Sequence, residues 1–349
     1  MIWLKRTLFK SIAAATITIG SFAAVPLPSA DAVGSGPNPG NGQVQLNRFT
    51  TNQELSSFLQ SITKKSDALS LEVIGQSVKG RELYLVKAGN NPNNPTVLFL
   101  TQQHGNEGLI TEGALNFIKK LGTNSKEVRD WLDHVNVLIL PRLNPDGAEG
   151  DVNFDISHYV GGGQATRFNA NGVDLNRDHT VRKEPETKAF HENVLKKYKI
   201  DYMIDFHHQG TQSAINNKYV SGSILYPTSP NVAPEVRQMS QQLGSVVYHA
   251  IEKRGFGHIG KYVGGTENTI ARNGIAAEYG IATLLFEMRG MMDHEREDYV
   301  LGQKSNGYLI KQAEIAMQES VASIADATIK TADTSFWENL PEQRNKEAE

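Results

Sequence analysis

The chain contains no cysteine. That excludes a disulfide framework, a thiolate nucleophile and a lipid anchor through sulfur, and any metal site must use imidazole and carboxylate. An excess of one charge is also missing, since 35 Lys and Arg face 38 Asp and Glu. No field strong enough to gather nucleic acid follows from that balance. A membrane-spanning run of about 20 apolar residues is absent from the start of the chain. The apolar stretch 11–25 is shorter and stops at Pro26 and Pro28. With Lys5, Arg6 and Lys10 before it and Ala30-Asp31-Ala32 after it, that stretch reads as an export signal cleaved after Ala32. A secreted or periplasmic protein without a stable membrane anchor is expected. Residues 33–47, rich in Gly, Asn and Pro, read as a flexible lead-in.

At 349 residues the chain is long enough to bury a substantial core. Leu55, Phe58, Leu59 and Ile62 recur at helical spacing in 52–62. Residues 71–74 and 83–87 predict short strands. Near-continuous apolar runs follow at 97–100, 135–140, 202–206 and 283–286, with helical patterns at 109–121, 184–197, 231–254 and 307–329. Strands apolar on both faces belong to a sheet covered by helices on both sides, so a single α/β domain is expected. Residues 329–349 read as a charged tail.

In such sheets, sites lie outside the carboxyl ends of the strands. The run 97–100 leads into Thr101-Gln102-Gln103-His104-Gly105-Asn106-Glu107, where an imidazole and a carboxylate can turn to one point. The next run ends at Asn144-Pro145-Asp146-Gly147, a turn sequence. The last two end at His207-His208 and at Glu287. An H-x-x-E pair alone is usually ordinary surface or core, and a lone histidine after a strand is more often a bonded core residue. Their shared rim favours a metal centre of His104, Glu107 and His207, open at a fourth position. His208 competes, and strand alternation sends the two to opposite faces, so only one of them can ligate. Glu287 is costly to bury unless paired or used; it is either a partner of Arg289 or a base that takes a proton from water. Within Gly172-Val173-Asp174-Leu175-Asn176-Arg177, the last two side chains suit a carboxylate, unless the segment is a surface loop. Arg167 adds a fixed charge able to stabilise an oxyanion.

Taken in order, these motifs, with Arg167-Phe168-Asn169, Asp205-Phe206-His207 and Phe286-Glu287-Met288-Arg289, carry a resemblance. The chain resembles the zinc metallocarboxypeptidases related to carboxypeptidase A, over roughly residues 48–328. The resemblance implies a mixed, mostly parallel central sheet flanked by helices. It implies a peptide substrate with a free C-terminus, and one zinc per chain held by His104, Glu107 and His207. By the same resemblance Glu287 is the base, Arg167 polarises the scissile carbonyl, Asn176 and Arg177 bind the terminal carboxylate, and Asp174 orients His104. Tyr262 is the candidate for the family's mobile tyrosine, although its spacing to Glu287 is longer than usual; Tyr279 is a second candidate. Asn106 stands where the family carries another substrate-side arginine. The family's specificity position, fifteen residues before the catalytic Glu, falls on Arg272. A guanidinium there implies an acidic C-terminal side chain, the plain alternative being an arginine facing solvent.

Three rivals remain on sequence alone. An amidohydrolase cutting γ-D-glutamyl bonds in peptidoglycan peptides would share every catalytic residue. An acyl-amino-acid deacylase fits the arginines less well. A binding module on the same fold typically lacks a ligand or the base, and here every role is filled.

Overall fold

A computed structural model describes residues 49–151, 165–210, 212–290 and 306–345. The expected export signal and lead-in lie outside the described residues. In chain order the elements begin with α1 (Asn52–Lys65), β1 (Leu69–Gln76), β2 (Glu82–Ala88), β3 (Thr96–Leu100), α2 (Gly108–Leu121), α3 (Lys126–Leu132), β4 (Asn136–Leu140) and α4 (Pro145–Glu149). Next come α5 (Pro185–Phe190), β5 (Tyr202–Gln209), β6 (Ser213–Ile215), β7 (Lys218–Tyr219) and β8 (Gly222–Leu225). The chain continues through α6 (Pro234–Lys253), β9 (Ile259–Lys261), α7 (Ala271–Tyr279), β10 (Ala282–Arg289), α8 (Asn306–Ala325), α9 (Phe336–Asn339) and β11 (Arg344–Asn345). Local chemistry sets several ends. Thr51 and Glu54 close a reciprocal capping box on α1. Asn144 caps α4, Pro145 starts it, and Gly150 ends it in the left-handed region.

One eight-stranded sheet runs in the order β1-β2-β4-β3-β5-β10-β8-β9. Its centre is parallel, with β3 paired to β4 and β5, and β5 to β10. The β1–β2, β2–β4 and β10–β8 pairings are antiparallel, so the expected mixed, mostly parallel sheet is present. Strand alternation splits the core in two. Val97, Phe99, Ile204, Phe206, Leu284 and Phe286 pack with α2, α6 and α8. Leu98, Leu100, Leu138, Leu140 and Met203 pack with Phe190, Ala271 and Ile275. Phe117, Phe99, Phe206 and Phe286 form a chain of ring contacts with centroids 5.6–6.3 Å apart. Each such buried ring contributes about 2–3 kcal/mol relative to exposure.

The charged tail expected over 329–349 carries docked side chains in its described part, which ends at residue 345. Ile329, Trp337 and Leu340 are buried. The Trp337 indole sits where a Cβ on Gly244 would be, 2.3 Å from the ring, and donates to the Gln241 carbonyl at 2.9 Å. Beyond it, Lys261 N donates to Pro341 O at 2.8 Å, and β11 pairs with β6. A few apolar side chains among many charges are enough to seat the segment. The helix expected over 184–197 is also shortened. α5 stops at Phe190, and a wider turn, His191–Leu195, follows. Among the described residues, no helix is long and apolar enough to cross a membrane.

Candidate metal centre and active site

The centre begins at the end of β3. Gln102 takes a left-handed φ of 53°, a conformation that costs a non-glycine residue energy and must be held in place. Its side chain supplies the hold: Nε2 donates to Gly105 O at 2.7 Å, while Oε1 accepts from Thr111 at 2.7 Å and from buried Arg142 at 2.6 Å. The tightened loop lies directly on α4. A Cβ on Gly105 would stand 2.1 Å from the Gly147 carbonyl carbon, and one on Gly147 2.4 Å from Phe168 O. The glycines of the two motifs are therefore there for backbone contact, and that contact aims His104 and Glu107.

Alternation does the same for the other strands. Asp205 and His207 leave β5 on the α7 side, opposite Phe206; Glu287 pairs with His207 in register. His208 pairs with Met288 and stays out of the cluster.

His104 Nδ1 lies 2.8 Å from Glu107 Oε1, and His207 Nδ1 lies 3.1 Å from Glu107 Oε2 and 3.0 Å from His104 Nδ1. The far nitrogens face carboxylates: His104 Nε2 meets Asp174 at 3.0 Å, and His207 Nε2 meets Asp205 at 3.0 Å. A carboxylate only accepts, so each far nitrogen carries a hydrogen, and a bound metal would take the lone pair of each Nδ1 in place of a proton. Two imidazole lone pairs and a carboxylate then converge on one buried point, which a cation satisfies and water does not. The donor set fits zinc, and among the described residues it is the one such cluster. Burial opposes charge on Glu107, but His104 and His207 outweigh it and hold its pKa well below the usual range. Burial likewise opposes charge on His207, yet Asp205 and Glu107 lift its pKa well above.

Glu287 is 8% exposed. Burial, with Glu107 and Asp205 adding to it and His207 and Arg167 opposing, pushes its pKa up to about 8. Among the described residues it forms no ion pair with Arg289, whose guanidinium lies 4.8 Å over the Tyr219 ring. Arg167 is clamped by Asp174 at 2.8 Å and reaches His104 Nδ1 at 3.1 Å. Asn176 is buried, with Nδ2 3.3 Å from His207 Nε2 and Oδ1 accepting from Ala271 N at 2.8 Å. Arg177 is exposed and donates to Asn176 O at 2.8 Å. Tyr262 stands in the field of Glu287, which together with burial raises its hydroxyl pKa. Arg272 does not face solvent: at 1% exposure it donates to Tyr226 O at 3.1 Å and Gly265 O at 2.7 Å, and its Nε has no partner. Tyr279 lies away from this group and bonds His191.

Sequence reasoning gave no role to Gln103, or to Asp205 although it stands in the Asp205-Phe206-His207 motif. The signal for Asp205 was available, because alternation puts a residue two before His207 on the same face.

A sheet flanked by helices, with a two-histidine, one-carboxylate donor set and a raised carboxyl beside it, is an arrangement that suits the class of metal-dependent hydrolases. Within it, this chain belongs to the zinc carboxypeptidase family, whose sequence pattern matches residues 55–317. Carboxypeptidase D of Mus musculus is 32% identical over 167 residues, covering 45% of this chain; the match spans 12% of that longer protein. The metallo-carboxypeptidase of Burkholderia cenocepacia superposes with a TM-score of 0.59 at 17% identity, over 79% of this chain and 69% of that one. Carboxypeptidase A of Helicoverpa armigera does so at 0.59 and 18%, over 83% and 76%. At such identities, the likeness to these solved structures speaks for the fold alone.

Proposed function

We propose that this protein is an exported zinc metallocarboxypeptidase that removes acidic C-terminal residues from peptides. The observation that carries the proposal is the convergence of His104 Nδ1, His207 Nδ1 and Glu107 beside the raised carboxyl of Glu287. One zinc per chain, held by these three, would supply the Lewis acidity that makes water a nucleophile near neutral pH. Glu287 takes the proton of the attacking water and returns it to the leaving amine. Arg167, braced by Asp174, holds the charge that develops on the carbonyl oxygen. Asn176 and Arg177 receive the terminal carboxylate, and Tyr262 closes over it. Arg272, buried and with an unpartnered Nε, forms the floor of the side-chain pocket and selects a carboxylate there. Export is supported by the basic, apolar and small-residue order of residues 1–32.

The test is a substrate panel. Purified protein, assayed for zinc, is given peptides ending in Glu, Lys and Phe, each with a free and an amidated C-terminus. Preference for free C-terminal Glu, lost in Arg272→Ala, is expected. Equal cleavage of amidated peptides would remove the carboxypeptidase reading. γ-D-glutamyl peptides belong in the panel, because the buried guanidinium also suits an acid-bearing cell-wall peptide; faster turnover of these would favour the amidohydrolase.

A further inference from the structure

Behind the centre a line of hydrogen bonds runs to the far end of α7. Asp205 Oδ1, already facing His207, lies 2.7 Å from Gln103 Nε2. Gln103 Oε1 lies 2.7 Å from His179 Nε2. His179 Nδ1 is 3.0 Å from His191 Nε2, and His191 Nδ1 is 2.9 Å from the Tyr279 hydroxyl. Gln103, His179 and His191 are at most 1% exposed, and none of their polar side-chain atoms lacks a partner. No step of the proposed reaction uses any of them.

Valence fixes the direction of every bond. The Asp205 carboxylate only accepts, so Gln103 turns its amide NH2 toward it and its carbonyl toward His179. His179 Nε2 therefore carries a hydrogen. Burial, which Asp205 and Asp178 only partly oppose, brings the pKa of His179 down to about 4; burial and the neighbouring His179 bring that of His191 to about 2. Both rings are neutral near pH 7, so His179 Nδ1 is a lone pair that only a hydrogen on His191 Nε2 can satisfy. His191 Nδ1 is then bare and takes the Tyr279 hydroxyl. Reversing any one member sets two lone pairs or two hydrogens face to face.

We infer that Gln103, His179, His191 and Tyr279 are positioning residues, aligned as successive donors toward Asp205, that keep the hydrogen of His207 on Nε2 and its Nδ1 free for the metal. The need is local. Asp205 is fully buried and its Oδ2 has no partner, so what steadies this carboxylate reaches it through Oδ1. Each bond polarises the next, and the last hydrogen is delivered by a stronger donor than an isolated amide. An apolar filling of the same space would cost less to bury. The inference rests on His207 as a ligand of the proposed zinc centre.

The first test needs no variant. Two-bond ¹H–¹⁵N spectra of labelled protein, metal-free and zinc-loaded, should show His179 and His191 as neutral Nε2–H tautomers between pH 5.5 and 8. An Nδ1–H tautomer or an imidazolium at either residue overturns the inference. The second test is zinc affinity by chelator competition. His179→Leu should raise the zinc dissociation constant about tenfold, the lower end for outer partners of a metal ligand. His179→Gln, which restores a donor toward Gln103, should stay within about threefold of wild type. Wild-type affinity in the Leu variant, or equal losses in both, refutes the positioning role. If His179→Leu fails to fold, the tautomer spectra still decide. Zinc binding without peptidase activity would sink the proposed function and leave these measurements intact.

Discussion

Gly105→Ala should disable the centre without touching a ligand. The added Cβ would lie 2.1 Å from the Gly147 carbonyl carbon and 2.4 Å from Ala148 N. Ordinary contact begins at 3.4 Å, so the two backbones must part by roughly 1.3 Å. No flexible side chain is available to yield, since both obstacles are main chain. Overpacking of this kind costs about 1–3 kcal/mol of stability. The larger effect falls on the site, because Gly105 sits between His104 and Glu107. A displacement of about 1 Å costs roughly a hundredfold in rate, about 2.7 kcal/mol of barrier. The assay pairs kcat/KM with zinc affinity and thermal melting. Gly307→Ala is the control: nothing lies within 4 Å of its Cβ position, and an alanine early in α8 should be neutral or stabilising by up to about 1 kcal/mol. A folded Gly105→Ala enzyme that binds zinc normally and keeps kcat/KM within threefold would refute the argument from backbone contact.

Other expectations follow from the same geometry. Glu287→Gln should keep zinc and lose at least about a hundredfold in kcat, as for a missing general base; unchanged turnover would remove Glu287 from the mechanism. His207→Ala should abolish zinc binding and His208→Ala should not, which metal analysis of the two purified variants decides. Glu186 is fully buried, and burial, opposed by bonds from Val78 N and Asn169 and reinforced by Asp146, pushes its pKa up to about 7 from 4.5. A raised folded-state pKa gives stability that is present below pH 4.5 and lost as pH rises through 7. Wild type should therefore lose about 3 kcal/mol more than Glu186→Gln between pH 4.5 and 8 in urea titrations; parallel profiles would contradict the shift.

The buried strands and the rim of polar residues were legible because they follow from period and position, and alternation separates His207 from His208 without choosing the ligand. Phe206 and Phe286 mark the faces of β5 and β10, and the neighbouring residues must point the other way. Less regular parts were not legible. α7, with Arg272, Asn273 and Gly274 among its buried residues, has a weak apolar stripe, so the helix was not visible beforehand, and the resemblance alone pointed to a buried arginine in it. The strands β6 to β9 span two to four residues each, too short for alternation to register. Asp178 and Glu184 illustrate a further limit. They look like surface charge in sequence, yet both are buried: Asp178 takes the Lys183 and Glu184 amides, and Glu184 takes Asn169 and Asn171.

The seat of Trp337 on Gly244 also gives the molecule an internal optical probe. The chain has three tryptophans, and one of them, Trp3, falls within the expected signal. Trp131, partly buried beneath Lys120, and Trp337, at 5% exposure against Tyr226, would then account for the fluorescence of the exported form. Blue-shifted emission reports a docked C-terminal segment, and Trp131→Phe isolates that signal. A Gly244→Ala exchange, whose Cβ would fall 2.3 Å from the indole, should shift the emission red at temperatures where the sheet is still folded. Undocking of residues 329–345 can thus be followed in a cuvette, separately from global melting.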